Sequence, residues 1–139
     1  MKKLFLTSII LLFATSLYAQ TWYPANQFTL VWDAVTTLAN GSALPSDNTV
    51  EYAVYFVSAE QPKTAAVELG RTAQTQYLIT LPSEGRYFAG AKAIRKNQQG
   101  VVVSESIISW CDEPDHAING EPFGLELYEA PANPMRLRP

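Results

Sequence analysis

One cysteine, one histidine and two methionines are all that 139 residues contain of those types. The lone Cys111 excludes an intrachain disulfide, so the fold must be held by packing. With His116 as the only imidazole, any Ser-His-Asp or Cys-His device has a single candidate base. A Gly-x-Ser-x-Gly elbow, a phosphate-cradling glycine loop and a His-Glu-x-x-His pair are missing too, and carboxylates such as Glu121 and Glu126 are tied to no concave site. The sequence therefore predicts no catalytic residue, no enzyme activity and no cofactor. Basic residues are also few, 10 Lys and Arg against 13 Asp and Glu for a net charge of −3. That balance argues against nucleic acid and anionic membrane surfaces, which demand clustered Lys and Arg.

The apolar run from Leu4 to Leu17 is broken by Thr7, Ser8, Thr15 and Ser16, and falls short of the roughly 20 apolar residues that span a bilayer. Lys2 and Lys3 precede it, and small Ala19 stands before polar Gln20. This is the pattern of a secretory signal peptide over residues 1–19, cleaved between Ala19 and Gln20. The expected location is secreted or periplasmic, with no membrane attachment once the leader is removed. Loss of Lys2 and Lys3 takes the net charge from −3 to −5. The remaining chain is one domain in length, and folding buries about two-thirds of its unfolded surface. Cys111 is either a small half-buried residue at the end of the last strand or, as an odd cysteine in a secreted chain, a link between chains.

Period-two alternation then dominates. Phe28, Leu30 and Trp32 share one face of a strand over 27–32; Val50, Tyr52, Val54 and Phe56 share one face of the next, over 50–57. A weaker strand is expected over 65–69, stopped by Gly70, and clearer ones over 76–81 and 87–95. Asn97 to Gly100 forms the hairpin loop into 101–110. Turn chemistry separates these runs at Asn40-Gly41 and Leu44-Pro45-Ser46-Asp47-Asn48. No convincing helical period interrupts them, so the expected fold is all-β, an antiparallel sandwich of about seven strands.

Leu81-Pro82-Ser83-Glu84-Gly85-Arg86-Tyr87 has the form of a tyrosine corner, in which a Tyr hydroxyl returns to the backbone upstream and locks a crossover between sheets. Together with Trp32 in the second strand, Tyr52-Ala53-Val54 in the third, and Gly100 and Ser106 around the last hairpin, it resembles the fibronectin type III family over residues 27–110. The resemblance implies an immunoglobulin-like sandwich with Trp32, Tyr52, Leu81 and Tyr87 as fold-defining core. It also implies a non-catalytic binding or adhesion module, of a kind found in bacterial extracellular and phage-associated proteins, that recognises a protein or carbohydrate surface. The expected contact surface is the outer sheet face, with Tyr55, Phe88, Lys92 and Ile94, and the loop 96–100.

Two departures stand out. Only residues 21–26 are left for the family's first strand, which is therefore short or missing. Residues 111–139 form an acidic, then Pro-rich tail: 112–129 holds six carboxylates and no Lys or Arg, and Phe123, Leu125 and Leu127 alternate as in a strand. This tail either folds across the outer face or its edge, with its carboxylates near Lys92, Arg95 or Lys96, or leaves that face open as the binding site. Ala130-Pro131-Ala132-Asn133-Pro134-Met135-Arg136-Leu137 resembles the missing first strand and either docks in its place, in the same or a neighbouring subunit, or stays loose. Self-association through the tail or Cys111, as in an extracellular or virion-associated assembly, is the alternative function. Cys111-Asp112-Glu113-Pro114-Asp115-His116 gathers metal-ligating residue types but reads as an acidic turn, so no metal site is expected.

Overall fold

A computed structural model describes residues 20–131; the leader through Ala19, including its cleavage residue, and the tail from Ala132 lie outside the described residues. Nine strands form between them: β1 (Thr21–Pro24), β2 (Gln27–Val31), β3 (Thr49–Ser58), β4 (Val67–Thr72), β5 (Gln76–Thr80), β6 (Gly85–Lys96), β7 (Val102–Glu105), β8 (Ser109–Trp110) and β9 (Phe123–Leu127). Short 3-10 turns stand at Lys63–Ala65 and Ile118–Gly120. The chain is all-β, a seven-stranded sheet facing a second sheet of β2 and β5 alone.

β6 organises the large sheet. On one side it pairs with β3 along ten residues, Thr49↔Lys96 to Ser58↔Tyr87. On the other, β7, β8 and β9 pair with successive stretches of it, so these segments act as one interrupted strand. The first interruption is at Ser106, whose N–H donates to Ala93 C=O (2.9 Å) while its Oγ accepts from Ala93 N–H (3.0 Å). The second is the excursion from Asp112 to Pro122, after which Phe123 N–H returns to Cys111 C=O at 2.9 Å. Residues 123–127 thus belong to the sandwich, and Leu125 is buried in its core.

The expected alternation places the core correctly. Leu30, Ile79 and Leu81 from the small sheet meet Val54, Tyr87, Ala89, Cys111 and Leu125 from the large one. Trp32 packs edge-on against Tyr52 with ring centroids 5.2 Å apart, and the Tyr52 hydroxyl accepts from Val35 N–H at 2.9 Å. At the corner, the Tyr87 hydroxyl donates to Ser83 C=O at 3.1 Å, and Ser83 Oγ lies 2.9 Å away. β4 is shifted from expectation: Gly70 lies inside it because the Tyr77 side chain occupies the space a Cβ would need, with its hydroxyl on Leu69 C=O at 3.2 Å.

The N-terminal segment is short and leaves a gap. β1 pairs parallel with β9, not with β2. Ala25 and Asn26 then reverse the chain, so that Phe28 of β2 comes back beside Tyr23, with both rings against Phe123. β2 consequently has one neighbour, β5, and its other edge is unpaired among the described residues. Replacing Tyr87 by Phe should lower unfolding free energy by about 1 kcal/mol, the net worth of a half-buried hydrogen bond; an unchanged urea midpoint would mean that the corner does not hold the crossover.

Candidate functional site

Alternation along β3 and β6 gives the large sheet an outer face carrying Ala53, Tyr55, Val57, Phe88, Gly90, Lys92 and Ile94. Two glycines there are covered by indoles from neighbouring strands. Gly90 is the cross-strand partner of Trp110 and Gly124 of Trp22, and in both places a Cβ would collide with the indole. Aromatic side chains recover the apolar burial that a glycine in a strand forgoes.

The result is a group of rings, each with a cation against it. Trp22 lies 5.5 Å from Phe88, and the Arg86 guanidinium sits 4.6 Å from the Trp22 ring centroid. Lys63, delivered by the 3-10 turn before β4, places Nζ 5.8 Å from the Phe88 ring and 5.2 Å from Trp110. Farther along, Lys92 Nζ is 5.7 Å from Tyr55. Each cation also has a carboxylate: Arg86 has Glu126 at 3.1 Å, Lys63 has Asp112 at 2.7 Å and Glu113 at 3.3 Å, and Lys92 has Glu105 at 2.6 Å. The hydrogen bond from Lys92 to Glu105 raises the lysine's pKa above its ordinary value. Burial raises the Glu113 carboxyl, but hydrogen bonds from Lys63 and His116 outweigh it and hold the pKa below the usual range. A face whose charges are matched internally is a poor trap for anions. Its half-exposed rings suit flat or polar-apolar surfaces instead.

Of the four residues expected to form this surface, Tyr55, Phe88 and Lys92 lie on it half-exposed. Ile94 does not: it is fully buried at 0% exposure. It stands between Glu51 and Glu105 on the adjacent strands, and the pairs Lys96–Glu51 (2.7 Å) and Lys92–Glu105 surround it. Val57, on the same face, is buried as well. The tail's carboxylates also lie elsewhere than expected. Asp112 and Glu113 meet Lys63 and Glu126 meets Arg86, whereas Lys92 and Lys96 pair with Glu105 and Glu51, and Arg95 donates to Asn48.

Trp22 and Trp110 escape a reading by periodicity because cross-strand register brings them to this face, Lys63 because a turn delivers it, and Arg86 because it precedes the strand expected over 87–95. The glycines at 90 and 124, set in apolar alternation, are the one signal that a ring must cover the sheet there.

The acidic turn after Cys111 is occupied by its own contacts. His116 Nδ1 is 2.6 Å from Glu113 Oε2, and no group of three metal-ligating side chains converges among the described residues. Cys111 Sγ accepts from Ala89 N–H at 3.3 Å, and burial pushes the thiol from 9.0 up to about 12. A disulfide through it would require opening the core. No described helix is long and apolar enough to cross a membrane. No family model, curated protein or solved structure matches this chain.

A raised thiol pKa favours the neutral form in the folded state. Stability relative to Cys111→Ala should therefore be constant below about pH 8.5, where unfolded thiols are neutral. It should then fall with rising pH towards 12 by about 1.4 kcal/mol per unit. Equal pH slopes for the two proteins, from denaturant titrations, would contradict this burial.

Proposed function

We propose that this chain is a fibronectin type III-type module, secreted or periplasmic, that acts by binding a protein or glycan surface through the outer face of its large sheet, without a catalytic step or cofactor. The observation that supports this most is the group Trp22, Phe88 and Tyr55 with Arg86, Lys63 and Lys92 against these rings. Aromatic and Arg side chains held rigid by packing lose little entropy on binding and are enriched at interface centres. The family resemblance is favoured by the Tyr87 corner, the Trp32–Tyr52 core pair and the pairing of β3 with β6.

Tyr55 separates a binding face from a merely packed one, because Phe88 belongs to the packed cluster. Phe88→Ala should cost about 2 kcal/mol of stability, less than a fully buried ring. Tyr55→Ala, outside that packed cluster, loses a half-exposed ring and its hydroxyl bond to Glu68 and should cost about 1 kcal/mol, leaving the chain folded. A glycan array and crosslinking in the secreted fraction, each with parent and Tyr55→Ala, test the reading. Binding that falls at least about tenfold in Tyr55→Ala, on the order of 1.4 kcal/mol, supports it. Binding that survives both Tyr55→Ala and Trp22→Ala moves the contact surface elsewhere.

A second reading, a subunit of an extracellular or virion-associated assembly joined through its C-terminal segment, is favoured by one observation: the edge of β2 that is unpaired among the described residues.

A further inference from the structure

A groove of about 610 Å³ runs along β2 where the small sheet lacks a strand. Its floor and walls include Phe28, Leu30, Trp32, Ala89, Ala91 and Cys111, and no Lys or Arg among the described residues lines it. Backbone bonds from Leu81 N–H to Asn26 C=O and from Trp32 N–H to Thr75 C=O turn the even positions of β2 towards β5. By the alternation of an antiparallel pair, Gln27, Thr29 and Val31 direct their N–H and C=O groups to the open edge. Trp32 adds a second sign of a missing neighbour, since its indole N–H is buried with no acceptor among the described residues. Unpaired edges of this kind are templates for another strand.

Chain direction identifies the occupant. β9 runs opposite to β6 and leaves the sheet at Leu127, opposite Gly85, after which Glu129 N–H is held by Glu84 Oε1 at 2.7 Å. β1 runs with β9, and β2 reverses from β1, so β2 runs opposite to β9. The chain after Pro131 therefore departs from the end of the sandwich where β2 begins, whereas the groove extends beyond β1 to Trp32 and Asp33 at the other end. To reach its own groove, this segment would have to turn back around β1 and lie parallel to β2. Continuing straight into a second copy stacked along the strand axis, it meets that copy's β2 antiparallel, the pairing β2 already makes with β5. Residues 132–139 reach about 26 Å when extended, longer than the five-residue edge at about 17 Å. Met135 and Leu137 alternate with Arg136 and Arg138, which matches an apolar floor with Asp33 and Asp115 at its margin.

We propose that residues 132–139 of one copy add as a strand to the open edge of β2 in the next, with Met135 and Leu137 in the groove, so that copies join head to tail. The contact is heterologous and leaves a free donor and a free groove at the two ends, so growth is open-ended. This deepens the assembly reading above and rests on it.

The test uses the chain from Gln20 to Pro139, since every described element lies within it, in reductant, by sedimentation and light scattering across concentration. The parent should grow past the mass of a dimer as concentration rises. Thr29→Pro, which blocks the edge while sparing the bonds to β5, should remain monomeric. So should Met135→Glu/Leu137→Glu, which alters only residues outside the described sandwich and so keeps the test valid even if Thr29→Pro fails to fold. Mixed together, one variant still carries a donor and the other a groove, so they should form a 1:1 dimer and nothing larger. A mixture that stays monomeric with both variants folded, or assembly that persists in the tail variant, overturns strand donation while leaving assembly by another route. A parent that is monomeric throughout overturns both.

Discussion

Everything in this fold is referred to β6. Its twelve residues are flanked on both sides, by β3 along ten positions and by β7, β8 and β9 in turn, so none of these four can move without breaking its ladder. Its inward residues Tyr87 and Ala89 lie in the core, and its outward residues Phe88, Gly90 and Lys92 lay out the ring-and-cation group. Both surfaces of the large sheet thus derive their geometry from one strand. The Tyr87 hydroxyl, tied to Ser83, fixes where that strand starts.

The excursion between β8 and β9 follows from the same constraint. Eleven residues leave the ladder after Cys111 and return at Phe123, yet pairing with β6 resumes at Tyr87↔Leu125. Their carboxylates at 112 and 113 meet Lys63, which lies across Phe88 and Trp110. Burying the lysine stem between rings while its head meets two carboxylates places a charge on an apolar surface at little desolvation cost. The outer face is in this way built from distant parts of the chain: a turn before β4, a segment after β8 and the first strand.

Periodicity made β2, β3, β5 and β6 legible almost to the residue, because each has one buried face and a period of two. Where packing and local rules conflict, packing sets the element boundaries. Gly70 reads as a stop but lies within β4 because Tyr77 fills its missing Cβ. Residues 101–110 read as one strand but break at Ser106, whose side chain replaces a ladder contact. Residues 123–127 alternate visibly, yet nothing local says that they complete the edge of β6, a question of register between distant segments. For the site, Tyr55, Phe88 and Lys92 were legible from alternation alone. Ile94 was not, because its burial depends on ion pairs across three strands.

A sandwich that lacks a strand beside β2 is the premise that links the short N-terminal segment, the groove and the strand-like tail. Amide hydrogen exchange along β2, read residue by residue by NMR on the dilute monomer, tests it most directly. The account predicts alternation, with Phe28, Leu30 and Trp32 protected by β5 and Thr29 and Val31 exchanging about as fast as an open edge allows. Uniform protection from Gln27 to Trp32 in the monomer would show that the edge is already covered and would contradict the account.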